Sequence, residues 1–242
     1  MIEVTQDGAV ATITMADASP LSVHDIGFGT ALRDAVRDAA DSDAVKAIVI
    51  RAGGPDFAPA LGGPDDAAHA FDGAWRETYA AATGLYQTLC YSRKIVITAV
   101  RGACMGAGSL LVLCSDLTVA SADARFGSPF DALPESNLVL AALVMRLNRA
   151  KAWVLCPDAL AAADACDAGL VNRVVPAGDL DREARAMARA AAKMPLDGIA
   201  MSKIQLETCL DANGVGREFD MAGFYAESLR HARDDAGAGG PR

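Results

Sequence analysis

A mostly parallel α/β core with a helical C-terminal portion is the fold class this sequence predicts, and three observations predict it. Apolar runs rich in β-branched residues, such as Val45-Lys46-Ala47-Ile48-Val49-Ile50 and Ile95-Val96-Ile97-Thr98-Ala99-Val100, alternate with stretches of helical periodicity. The second run leads into a loop of small residues, Gly102-Ala103-Cys104-Met105-Gly106-Ala107-Gly108, and Ser109 then opens an apolar segment of good helix formers. From Asp179 onward only helical patterns occur.

Taken in order, Glu3 to Val4 and Val10 to Met15 read as strands joined by an Asp7-Gly8 turn. After a loop through Pro20, Ile26, Leu32, Ala35, Val36 and Ala39 give the stretch from about His24 to Ala40 a helical period. Val45 to Ile50 is a buried strand, and Arg51 to Pro64 is a Gly/Pro-rich loop. Trp75 to Cys90 reads as a long helix, Ile95 to Val100 as the central strand, and Asp116 to Ala120 as another. Two prolines make Ser128 to Glu135 irregular, and Asn137 to Leu147 is a strongly apolar helix. Ala159 to Ala168 is a short helix stopped by Gly169, and Leu170 to Val175 is a strand stopped by Pro176. Helices follow over roughly 180–194, 196–211 and 217–233. The expected organisation is a core over 1–194, a helical region over 195–233 and a mobile Gly-, Ala- and Asp-rich tail over 234–242.

Composition narrows the function classes. A chain of 242 residues with 52% hydrophobic and 22% charged content is long and apolar enough to bury a sizeable core. A net charge of −9 opposes broad binding to nucleic acid or anionic membrane, though not a local basic patch for a phosphate-bearing ligand. Six cysteines without a CxxC pair read as reduced, mainly buried thiols. The first residues lack the regions of a signal peptide, and no stretch reaches membrane-spanning length. A soluble cytoplasmic protein is expected, with no resident metal, because His24, His69, His231 and the cysteines show no ligand spacing.

The glycine loop admits two readings. It is neither a phosphate-binding Gly-Lys-Ser/Thr loop nor a dinucleotide fingerprint, whose glycine spacing differs. It either packs a helix closely on a sheet, or it presents unpaired N–H groups at a helix N-terminus to an anion or developing oxyanion.

Three stretches in order resemble the enoyl-CoA hydratase/isomerase (crotonase) superfamily: VKAIVIRAGGPDFAPA, KIVITAVRGACMGAGSLLVLCSDLTVASADARFGSPF and AAADACDAGLVNRVVPAGDL. With the segments between them they cover most of residues 1–210. The resemblance implies an α/β, crotonase-like spiral of ββα units with a C-terminal helical region used in forming a homotrimer or dimer of trimers. It also implies an acyl-CoA thioester substrate, coenzyme A entering as part of that substrate and no cofactor being held permanently.

By the same resemblance, backbone N–H donors near Leu61 and at Ala107 form an oxyanion hole, with Ala58 and Ala60 in the first loop and Gly106 and Gly108 in the second. Ala60 stands where the family usually has glycine, and Pro59 beside it has no N–H. The two glutamates of the family's hydratases are replaced by Leu110 and Phe130, which removes dual-glutamate hydration. Pro129 to Glu135 resembles the isomerase-like branch in a shortened form, making Glu135 the first candidate for proton transfer and Asp131 the second.

Other residues have plainer readings. Asp65, Asp66 and His69 suit a helix start, Tyr79 and Tyr86 core packing, Cys104 a small buried thiol, His24 a helix cap and Asp116 a structural role at a strand start. The function implied is enolate-stabilised double-bond isomerisation, or another lyase reaction such as decarboxylation. The alternative is a catalytically silent homologue that binds a thioester, on CoA or a carrier protein, or a partner enzyme.

Overall fold

The Asp7-Gly8 turn closes a hairpin, and the large sheet grows from it. In the computed structural model, which describes residues 2–15, 26–59, 84–129, 138–156 and 158–221, β1 (Ile2–Asp7) pairs antiparallel with β2 (Val10–Met15), and Asp7 lies opposite Val10. Helix α1 (Ile26–Asp41) leads to β3 (Ala47–Ala52), and a helix over 84–90, here α2, leads to β4 (Ile95–Val100). Then come β5 (Ala103–Cys104), α3 (Ala107–Cys114), β6 (Leu117–Ser121), β7 (Arg125–Phe126), α4 (Leu138–Val144) and α5 (Leu147–Leu155). The rest is β8 (Leu160–Ala161), α6 (Ala162–Ala168), β9 (Arg173–Val175), α7 (Leu180–Ala191), α8 (Leu196–Ala212) and a helix over 215–221, here α9.

The large sheet has the order β1-β2-β3-β4-β6-β9 and is parallel beyond its first hairpin. A small sheet has the order β5-β7-β8, and Ala58 bridges to Cys104 at its margin. The ββα repeat is visible here: β4 and β6 enter the large sheet, and β5 and β7, which follow them, enter the small one.

Strand parity explains the layering, since successive side chains point to opposite faces. Ile48, Ile50, Val96 and Val100 pack with Leu32 and Val36 of α1 and Leu85 and Leu89 of α2 in the larger core. Ala47, Val49, Ile97 and Ala99 face the other way, onto Leu180, Ala184 and Ala188, which recur every four residues along α7. Val215 and Phe219 of α9 join the larger core, so this part of the C-terminal helical region packs on the α/β layers.

The structure revises several boundaries. The apolar stretch expected as one helix over 137–147 is α4 followed by a separate helix, α5, which periodicity did not reveal. The chain turns extended at Arg146, whose N–H donates to the Ala168 carbonyl at 3.3 Å. The helix expected from Ala159 begins at Ala162, because Leu160 and Ala161 pair with β7. The strand expected over 170–175 is confined to Arg173–Val175, because the Leu170 and Val171 amides cap α6 through the Ala165 carbonyl. The expected tail and residues 222–233 lie outside the described residues.

Candidate active site

Two loop segments meet where β3 and β4 end. Phe57 donates its amide to the Arg101 carbonyl at 2.9 Å, Ala58 donates to Ala103 O at 2.8 Å, and Met105 returns a bond to Ala58 O at 2.9 Å. Asp56 adds a side-chain tie, its Oδ1 accepting from the Ala103 amide at 2.7 Å. This close approach dictates two glycines. At Gly102 the backbone is left-handed (φ +55°), and a Cβ there would lie 2.3 Å from Asp56 Oδ1. At Gly108 an added methyl would lie 2.3 Å from the Ala58 Cβ.

The second loop then enters α3. Gly106, with φ 46° and ψ −111°, turns the chain so that Ala107 becomes the first helical residue, two positions earlier than the sequence suggested. Every side chain of α3 is buried. Among the described residues, no carbonyl or side chain accepts a hydrogen bond from the Ala107 amide, while Gly108 N–H bonds to Met105 O and Leu110 N–H to Gly106 O. A helix N-terminus leaves its first amides open in this way, and the helix dipole gives them positive character.

Buried hydrogen bonds hold the loop against the turn after β7. The Ser109 hydroxyl lies 2.9 Å from Cys104 O and 2.7 Å from Gly127 O, so its one proton serves two carbonyls. Gly127 N–H bonds to Cys104 O at 2.9 Å, and Trp153 Nε1 donates to Phe126 O at 3.0 Å. Asp56, Ser109 and Trp153 thus shape the site through bonds that the sequence did not assign to them. A serine directly after the glycine loop was the available signal, whereas the roles of Asp56 and Trp153 depend on contacts across the fold.

The structure brings Ala58, Gly106, Ala107 and Gly108 together. Ala58 is buried with both backbone groups committed, so its methyl braces Gly108. Ala60, Leu61, Asp131 and Glu135 lie outside the described residues, as do Phe130, His24, Asp65, Asp66, His69 and Tyr79. Leu110 is fully buried in α3 and Tyr86 packs in the core. Burial pushes the Cys104 thiol up to about 12, against a weaker opposing effect of its contact with Ser109, so it stays protonated near neutral pH. The Asp116 carboxylate accepts from Val96 N–H at 2.7 Å and Lys203 Nζ at 2.6 Å, tying the start of β4 to α8. Among the described residues no group of three His, Cys, Asp or Glu side chains is arranged to hold a metal ion.

Comparison with known proteins sets this geometry in context. A family model described as enoyl-CoA hydratase/isomerase matches residues 5–231. The chain is 27% identical to EchA13 of Mycobacterium tuberculosis, over 95% of this chain and 80% of that protein. It is 30% identical to echA8 of Mycobacterium bovis, over 84% and 79% respectively, and both relatives bear enoyl-CoA hydratase names. The solved structure of an enoyl-CoA hydratase/isomerase from Xanthobacter autotrophicus Py2 is 26% identical and superposes with a TM-score of 0.78, covering 91% of this chain and 84% of that one.

Proposed function

The chain belongs to the enoyl-CoA hydratase/isomerase family, and from that premise we propose that it acts on an acyl-CoA thioester by stabilising an enolate. The Ala107 amide supports this reading: it is the first N–H of a buried helix, and none of the described residues accepts from it. When an α-proton leaves a thioester, negative charge grows on the carbonyl oxygen. A preorganised N–H aimed at that oxygen contributes on the order of a hundredfold to a thousandfold in rate. Ala107 supplies one donor and the first loop, at Leu61, the other.

One carboxylate moves the proton, with Glu135 first and Asp131 second. Leu110 and Phe130 occupy the positions of the two hydratase glutamates, so double-bond isomerisation, or another lyase reaction such as decarboxylation, is favoured over water addition. Coenzyme A enters with the substrate, and a carrier-protein thioester presents the same reacting ester. The working assembly is a homotrimer or dimer of trimers, supported by the apolar side chains Met201, Ile204 and Leu206 that α8 leaves exposed.

Purified protein offered a 3-enoyl-CoA is expected to form the 2-enoyl isomer, and Glu135→Gln to slow it on the order of a hundredfold to ten-thousandfold. Equal rates in the two proteins would remove Glu135 from its role. Calorimetric binding of several CoA thioesters with no turnover of any would favour the silent homologue.

A further inference from the structure

Behind the two loops, a single carboxylate is shared by the strands that feed them. Asp181, in the first turn of α7, accepts from Arg51 Nη1 through Oδ2 at 2.6 Å and from Arg101 Nη2 through Oδ1 at 3.1 Å. Arg51 is the penultimate residue of β3, and Arg101 directly follows β4. Arg51 also donates through Nε to Thr14 Oγ1 on β2 at 3.2 Å. Each arginine therefore sits where its strand becomes a loop segment, and the Arg101 carbonyl itself receives the Phe57 N–H of the first loop.

The electrostatics make this a clasp. Two guanidinium groups at the ends of neighbouring parallel strands repel, and one carboxylate between them replaces that repulsion with two charge-assisted hydrogen bonds. The Asp181, Arg51 and Arg101 side chains are 32%, 27% and 29% exposed, so solvent screens the cluster and its contribution to global stability is small. Its effect is local, at the roots of the loops.

We infer that Asp181 is a positioning residue, which fixes the spacing between the exits of β3 and β4 and so the way segments 53–59 and 101–108 meet. The inference rests on the enolate reading above and extends it to a residue that acts through Arg51 and Arg101.

The test uses the full-length protein with Asp181→Asn, which keeps the shape and removes the charge, and Asp181→Glu, which keeps the charge. For Asp181→Asn, kcat on the acyl-CoA should fall on the order of tenfold to a hundredfold while KM stays within about twofold. Amide hydrogen exchange over 53–59 and 101–108 should rise in both segments together, and Asp181→Glu should recover part of both effects. Wild-type kcat in Asp181→Asn, a change confined to KM, unchanged exchange in the loops, or no recovery with glutamate would each overturn the assignment. If the wild-type protein turns over no acyl-CoA, the enolate reading fails separately. Exchange then decides alone: a joint rise supports the clasp, and no rise overturns it.

Discussion

A methyl group added at Gly108 would lie 2.3 Å from the Ala58 Cβ, and Ala58 has no room to retreat because its N–H and C=O are both bonded to the second loop. Overpacking of this kind costs about 1–3 kcal/mol. Gly108→Ala should therefore lower the free energy of unfolding by that amount and separate the two loops, depressing turnover more than thioester binding; kcat and KM measured beside a denaturation curve check both. The need for small residues here was legible in the sequence, because consecutive Gly and Ala residues at a strand-to-helix junction have few purposes. Which contact required Gly108 was not legible, since Ala58 stands fifty residues earlier. Asp181 left no local signal at all, for its partners lie 130 and 80 residues away.

Helix α8 inverts the usual surface pattern. Its buried positions include Lys203 and Glu207, whereas Met201, Ile204 and Leu206 are exposed, Leu206 by 69%. Lys203 reaches Asp116 and the Lys94 carbonyl, and Glu207 pairs with Arg93, so the inward charges are largely matched. One Glu207 oxygen, Oε1, is buried with no hydrogen-bond partner among the described residues. The outward apolar side chains suit burial against a second copy of the chain. Wild-type protein should sediment as a trimer or hexamer, and Leu206→Asp should sediment as a folded protomer; analytical ultracentrifugation with circular dichroism reads both. Periodicity located this helix within one residue of its observed end, yet it could not foretell that the charges face inward. A helical period counts apolar positions, and tertiary partners decide which face is the interior. The same limit hid α5, where only Ala150 and Trp153 are buried.

Across the whole molecule, the parallel order was legible because strands buried on both faces read as continuous apolar runs. The small sheet was not, because two-residue strands carry no period. Protonation behaviour is also set at this scale. Burial pushes the Cys90 and Cys104 thiols up to about 12 from an ordinary value of 9.0 and Cys114 well above that value, although a coulombic effect of Lys203 opposes part of the Cys90 shift. Between those limits the native protein keeps protons that the unfolded chain releases, so the stability these thiols contribute is full below about pH 9 and is lost as pH rises toward 12. Chemical denaturation at stepped alkaline pH should show that decline, with cysteine-to-alanine variants at 90 and 104 flattening it. The Trp153 indole, buried and bonded to the Phe126 carbonyl, has an optical consequence. Its fluorescence arises beside the turn that leads into residues 130–137. With Trp75 replaced by phenylalanine, emitted light alone would follow that turn as a thioester arrives.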